Sequence, residues 1–206
     1  MKTIATLDPT QIAIGVRKAG VKNTEAFYVP VLDDGRPVSV QLTTSESEAL
    51  RVPFALSTFD EGDKKRSLAL ECTDELKAFA SALDARVMRA ALDNSKEWFG
   101  RKLKETEVET MYMPLVHESA EHAPFIRTKL SAARPTPTVL YAGTDFASVS
   151  AEDVLVPNAR ILPIAKLSEV WFMPDKFGVT LTITQAVVWP PPLPALGNFV
   201  GLTLPE

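Results

Sequence analysis

The sequence predicts a mainly β domain carrying one or two helices, and three observations lead there. Val179, Leu181, Ile183 and Val187 alternate with Thr180, Thr182, Thr184 and Ala186, the longest period-two run in the chain. Such alternation marks a strand with one buried and one wet face. Sixteen prolines against nine glycines suit many short strands broken by stiff turns better than a long helical bundle. One stretch, Thr73–Leu92, clearly repeats its apolar residues at helical steps.

In chain order, residues 1–25 read as an N-terminal arm or edge strand, with Arg17, Lys18 and Lys22 near the acid Asp8. A β domain then spans residues 26–189. Ala26–Val31 and Val38–Leu42 flank Asp33-Asp34-Gly35, a hairpin turn signal. Thr43–Ala49 is polar and reads as a loop. Arg51–Thr58 and Ser67–Cys72 are the next strands, and the Lys64-Lys65-Arg66 run between them is a solvated hairpin tip. In the helix spanning residues 73–92, Thr73 is the N-cap and Asp74 and Glu75 occupy the first turn, where the helix dipole favours acids. Leu76, Phe79, Ala80, Leu83, Val87, Ala90 and Ala91 form its apolar stripe, which should pack against the sheet. A second short helix is expected over Thr106–Met113, with Val108, Met111 and Tyr112 facing inward.

Further strands are read at Phe125–Leu130, Thr138–Ala142 and Ala159–Leu167. Leu167–Trp189 forms two strands joined by a tight turn at Pro174-Asp175-Lys176. Gly178 sits just inside the second strand, where a glycine marks a bulge or a close backbone approach, such as a barrel corner. Residues 190–206 are a stiff Pro-rich exit with an apolar end, a segment suited to self-association with a neighbouring copy.

The formal net charge of −4 and pI of about 5.4 argue against coating duplex DNA by bulk positive charge, and leave room for a local basic groove. Cys72 is the only cysteine, so neither an intrachain disulfide nor a Cys-based zinc site can form. His117 and His122 stand five apart, whereas a helical His pair sharing a metal stands four apart, so no metal is expected. With no secretory leader pattern and no apolar run near 18 residues, a soluble intracellular protein is expected. A P-loop, a G-x-S-x-G elbow and a supported Cys/His pair are all lacking, which leads to a non-enzymatic protein needing no cofactor.

Three segments combine rings with cations. In Asn94–Lys104, Trp98 and Phe99 are interleaved with Lys96, Arg101, Lys102 and Lys104. In Phe125–Leu130, Arg127 and Lys129 share a strand face with Phe125. Trp171, Phe172, Lys176 and Phe177 surround the barrel corner. Single-stranded nucleic acid needs this chemistry: bases stack on rings for roughly 1–3 kcal/mol each, and cations neutralise phosphates. For each ring the alternative is a place in the core, and for each cation a solvated surface. The nucleic-acid reading therefore requires all three segments to meet on one open face.

The segments NSKEWFGRKL, PFIRTKL and VWFMPDKFGVTLTITQ, in this order after a long hairpin and a helix, carry a resemblance over Phe27–Trp189. The chain resembles the single-stranded-DNA-binding proteins of nucleocytoplasmic large DNA viruses, which are similar to phage-type single-strand binding proteins. That resemblance implies an OB-like Greek-key barrel with insertions, no catalysis, and coating of exposed strands in DNA replication, recombination or repair. It also implies nucleic-acid contacts at Trp98, Phe99, Arg101, Lys102, Arg127, Lys129, Trp171, Phe172, Lys176 and Phe177. Such proteins commonly end in an acidic tail with a terminal aromatic; this chain ends instead in an apolar, Pro-rich segment whose one acid is Glu206. The alternative class is a viral structural or capsid-associated β-sandwich that self-assembles.

Overall fold

The structure, a computed structural model, describes residues 2–15, 18–19, 27–43, 46–58, 65–131 and 137–191. Arg17, Lys22, Lys64 and the apolar tail lie outside them. The chain opens with three short strands, β1 (Lys2–Thr3), β2 (Ala13–Ile14) and β3 (Lys18–Ala19). The expected hairpin follows as β4 (Phe27–Asp33) and β5 (Arg36–Gln41). It turns at Asp34 and Gly35, whose φ values are 49° and 75°. Two consecutive left-handed residues give the turn whose twist matches the flanking strands, and Gly35 enters that region without a Cβ clash.

Two short strands, β6 (Leu50–Arg51) and β7 (Ser57–Thr58), replace the single strand expected over Arg51–Thr58. Pro53 between them has no N–H to give to a ladder. Next come β8 (Lys65–Glu71) and α1 (Asp74–Asp93). The hydroxyl of Thr73 accepts from Leu76 N at 3.2 Å, and all seven residues of the predicted stripe are buried. Two shorter helices follow, α2 (Ser95–Phe99) and α3 (Glu105–Met111). The chain continues through β9 (Tyr112–Met113), β10 (Val116–His117), β11 (Phe125–Ser131), β12 (Val139–Ala142) and α4 (Ala151–Val154). It ends in the 13-residue strands β13 (Arg160–Phe172) and β14 (Phe177–Trp189). Among the described residues four α-helices thus stand where one or two were expected, because α2 and α4 are too short for an apolar period to show.

The described residues are mostly β and include a closed five-strand barrel, an OB-like architecture. Its frame is β14, which pairs antiparallel with β13 along one edge and successively with β9, β11 and β12 along the other. β11 continues antiparallel into β8. β6 pairs with β13 and lies against β8, where Arg51 and Glu71 form an ion pair at 2.5 Å. That contact brings the ends of the sheet together. β4 and β5 pair with the remaining length of β13. α1 lays its stripe against β14, β10 and α3.

The alternation in β14 holds only to Ile183. Ala186 and Val188 are buried beyond it and Val187 is half-buried, the reverse of the expectation. The register explains the switch: Ile164 pairs with Gln185 but Ala165 pairs with Ile183, so Thr184 is an extra residue. A bulge of this kind shifts the face of every later side chain by one.

Candidate nucleic-acid interface

On β11, Ile126, Thr128 and Leu130 are buried while Arg127 and Lys129 are exposed. Lys129 stands level with Ser67 on β8 and Thr182 on β14. Thr182 pairs with Lys166 on β13, and Lys166 with Ser39 on β5. The sheet therefore carries a continuous row of hydroxyls and ammonium groups across five strands. From Lys129 to Ser39 it faces away from the core, because the flanking Val38, Val40, Ala165, Leu167, Leu181 and Ile183 are all buried, while Ser67 at its end is itself buried.

Next to this row lies a groove of about 180 Å³, whose walls include Arg127, Lys129, His117, Met113, Thr180 and Trp171. Trp171 is the cross-strand partner of Gly178. A Cβ at Gly178 would stand 3.0 Å from the indole and 3.0 Å from the Met113 carbonyl. The glycine is thus a close-approach residue that lets the ring lie down against the strand, while the bulges sit elsewhere, at Thr184 and between Leu167 and Val170. His117 stacks on Phe125 at 5.3 Å and 16°, and the Arg127 guanidinium lies 5.5 Å from the same ring. Burial and the Arg127 charge lower the His117 pKa, so at neutral pH it offers one donor and one acceptor to the groove.

Sequence reasoning tested His117 only as a metal ligand and missed it as a groove residue. The signal was its place in a short hairpin, level with Phe125. Phe125, 8% exposed, is covered by His117 and by an edge of Phe54 at 5.4 Å, so it is a support and no open platform. Among the described residues no cluster of His, Cys, Asp and Glu could hold a metal ion.

The Trp98 segment does not join this face. Trp98 is 2% exposed and Phe177 fully buried. With Phe99 and Phe172 they form a packed aromatic cluster, Trp98 meeting Phe172 at 5.5 Å and Phe99 meeting Phe177 at 5.3 Å. Tyr112 closes it against Phe177 at 5.2 Å. These rings attach α2 to the corner of β13 and β14, so the expectation that Trp98 and Phe177 stack bases is corrected: burial leaves no face for a base. Successive strand residues point to opposite faces, so Phe172 meets α2 while Trp171 meets the groove. The segment's cations follow the helix away: Arg101 pairs with Glu107 at 2.6 Å, and Lys102 is exposed beside it. Of the ten residues expected at an interface, the structure gathers Arg127, Lys129 and Trp171 in one groove and leaves Lys176 exposed at the turn beside it.

A family model described as a family of unknown function (DUF5871) matches residues 58–196, well over half of the chain. The chain belongs to that family. No curated protein matches this DUF5871 member by sequence. Among solved structures it is similar in fold to gp2.5, a single-stranded DNA-binding protein of bacteriophage T7. The TM-score is 0.52 at 10% identity, covering 79% of this chain and 91% of that one. A single-stranded DNA-binding protein of bacteriophage Enc34 matches with a TM-score of 0.48 at 11% identity, covering 91% of this chain and 96% of that one. At such identity the T7 match speaks to the fold of the DUF5871 member, and the site stands on its own geometry. Among the described residues no helix is long and apolar enough to cross a membrane.

Proposed function

We propose that this chain binds single-stranded DNA without catalysing a reaction, and that it acts in DNA replication, recombination or repair inside the cell. The observation that supports this most is the groove in which Trp171 meets Arg127 and Lys129 on the outside of an OB-like barrel. A base stacks on the indole while the two cations neutralise adjacent phosphates. His117 and the hydroxyl of Thr180 supply hydrogen bonds without demanding one base. A net charge of −4 favours a short local track over wrapping of duplex. The likeness in fold to the T7 protein named for single-stranded DNA binding agrees with this reading. Self-association through residues 190–206 belongs to the same proposal, and sedimentation with and without that segment tests it.

Titration with oligo-dT at low salt should change the tryptophan fluorescence. The double variant Arg127→Ala/Lys129→Ala should bind more weakly and lower the slope of log affinity against log salt by about 1.4, two phosphate contacts at about 0.7 each. Arg101→Ala and Lys102→Ala should leave both quantities as they are. Absence of any oligo-dT response at low salt, or an unchanged slope in the double variant, rejects the assignment.

A further inference from the structure

Met173 is 61% exposed, one of two large hydrophobic side chains so open among the described residues. It stands at the tip of the β13–β14 hairpin. Its N–H donates to the Lys176 carbonyl at 2.7 Å, which makes 173 and 176 the rung after Phe172 and Phe177. Alternation across that rung puts Met173 on the side of Trp171, opposite Phe172, which is held by Trp98 and Phe99 at 5.5 and 5.6 Å. Pro174 fixes one φ of the turn, and Lys176 is exposed across from Met173. A scattered surface methionine needs no explanation. This one continues the exposed side of the groove's indole, with a cation facing it across the hairpin.

We propose that Met173 and Lys176 form a second position of the nucleic-acid track, beyond Trp171. This rests on the single-stranded DNA reading above. The thioether, polarisable and unbranched, takes the face of the base that follows the one on Trp171. The ammonium of Lys176 meets the phosphate between or beside them. The ligand is a strand at least two nucleotides long leaving the groove over the hairpin tip, which is also why a groove of about 180 Å³ is large enough.

The test is fluorescence polarisation with labelled oligo-dT of increasing length, at one low salt concentration and then across a salt series. Met173→Ala should match wild type on the shortest oligonucleotide that binds, and fall roughly two- to tenfold behind on longer ones, the fold-change of one sulfur–aromatic contact. Lys176→Ala should lower the salt slope by about 0.7. Phe146→Ala, which removes the other exposed hydrophobic side chain, should behave as wild type. If Trp171→Ala weakens binding while Met173→Ala and Lys176→Ala track wild type at every length and salt, the second position is wrong and the groove stands. If wild type binds no oligonucleotide, the groove and its extension fall together.

Discussion

Trp98→Ala is expected to destabilise the protein by about 3–5 kcal/mol, the range for emptying a buried tryptophan site, and to leave oligonucleotide binding by the folded protein unchanged. The ring is 2% exposed and lies edge-on to Phe172 at 5.5 Å. Aromatic pairs add roughly 0.5–1.5 kcal/mol to simple area burial, and Phe172 is itself stacked at 13° on Phe177. Removing Trp98 therefore opens a cavity and also loosens the attachment of α2 to the β13–β14 corner. For domains stable by about 5–15 kcal/mol, this is a large share of the whole. Urea unfolding reads it as a lower midpoint. Trp171→Ala should shift the balance the other way: a smaller loss of stability than Trp98→Ala, because the ring is only partly buried, and weakened binding. A Trp98→Ala protein as stable as wild type but poor in oligo-dT binding would return the Trp98 segment to the interface.

The contrast between these two tryptophans shows where sequence reasoning reaches. Local signals were legible: the Asp34-Gly35 turn, the Thr73 cap and the stripe of α1 each depend on residues within one turn or one hairpin. Arg127 and Lys129 were legible because they alternate with buried residues on their own strand. Proximity in sequence misled at the aromatics. Trp98 and Lys96 share a segment, but on α2 the ring turns inward and the cation outward. Trp171 and Phe172 are neighbours, and for that reason a strand sends them to opposite faces. The bulge at Thr184 had no signal of its own, since neither glycine nor proline marks it anywhere between Val179 and Trp189. Asp84 falls on the inner face of α1 beside Leu83 and Val87, yet its partners come from residues 112 and 115, which no helical period announces.

Asp84 should make the protein less stable as pH rises through about 6. The carboxylate is buried, accepts from the Tyr112 hydroxyl at 2.6 Å and from Leu115 N at 3.1 Å, and ties α1 to the start of the β9–β10 segment. Burial raises its pKa from 3.8 to about 6, and the two hydrogen bonds only partly oppose that. Because the folded value lies above the unfolded one, the group's stabilising contribution is complete below pH 3.8 and is lost as pH rises through about 6. The difference corresponds to about 3 kcal/mol. His117 works the other way: its lowered pKa gives a contribution present above pH 6.5 and lost on acidification. The informative quantity is therefore the wild-type curve minus that of Asp84→Asn. Asparagine keeps an acceptor for Leu115 and can donate to the Tyr112 oxygen, but it does not titrate. Between pH 4 and 7 wild type should lose most of that difference, about 2 kcal/mol, relative to Asp84→Asn. Asp84→Ala should be destabilised at every pH, by about 1–3 kcal/mol for each of the Tyr112 and Leu115 donors left without a partner. Parallel curves for wild type and Asp84→Asn, measured by urea unfolding across that range, would mean that the carboxylate is ionised in the folded protein and that its burial is matched by those two hydrogen bonds.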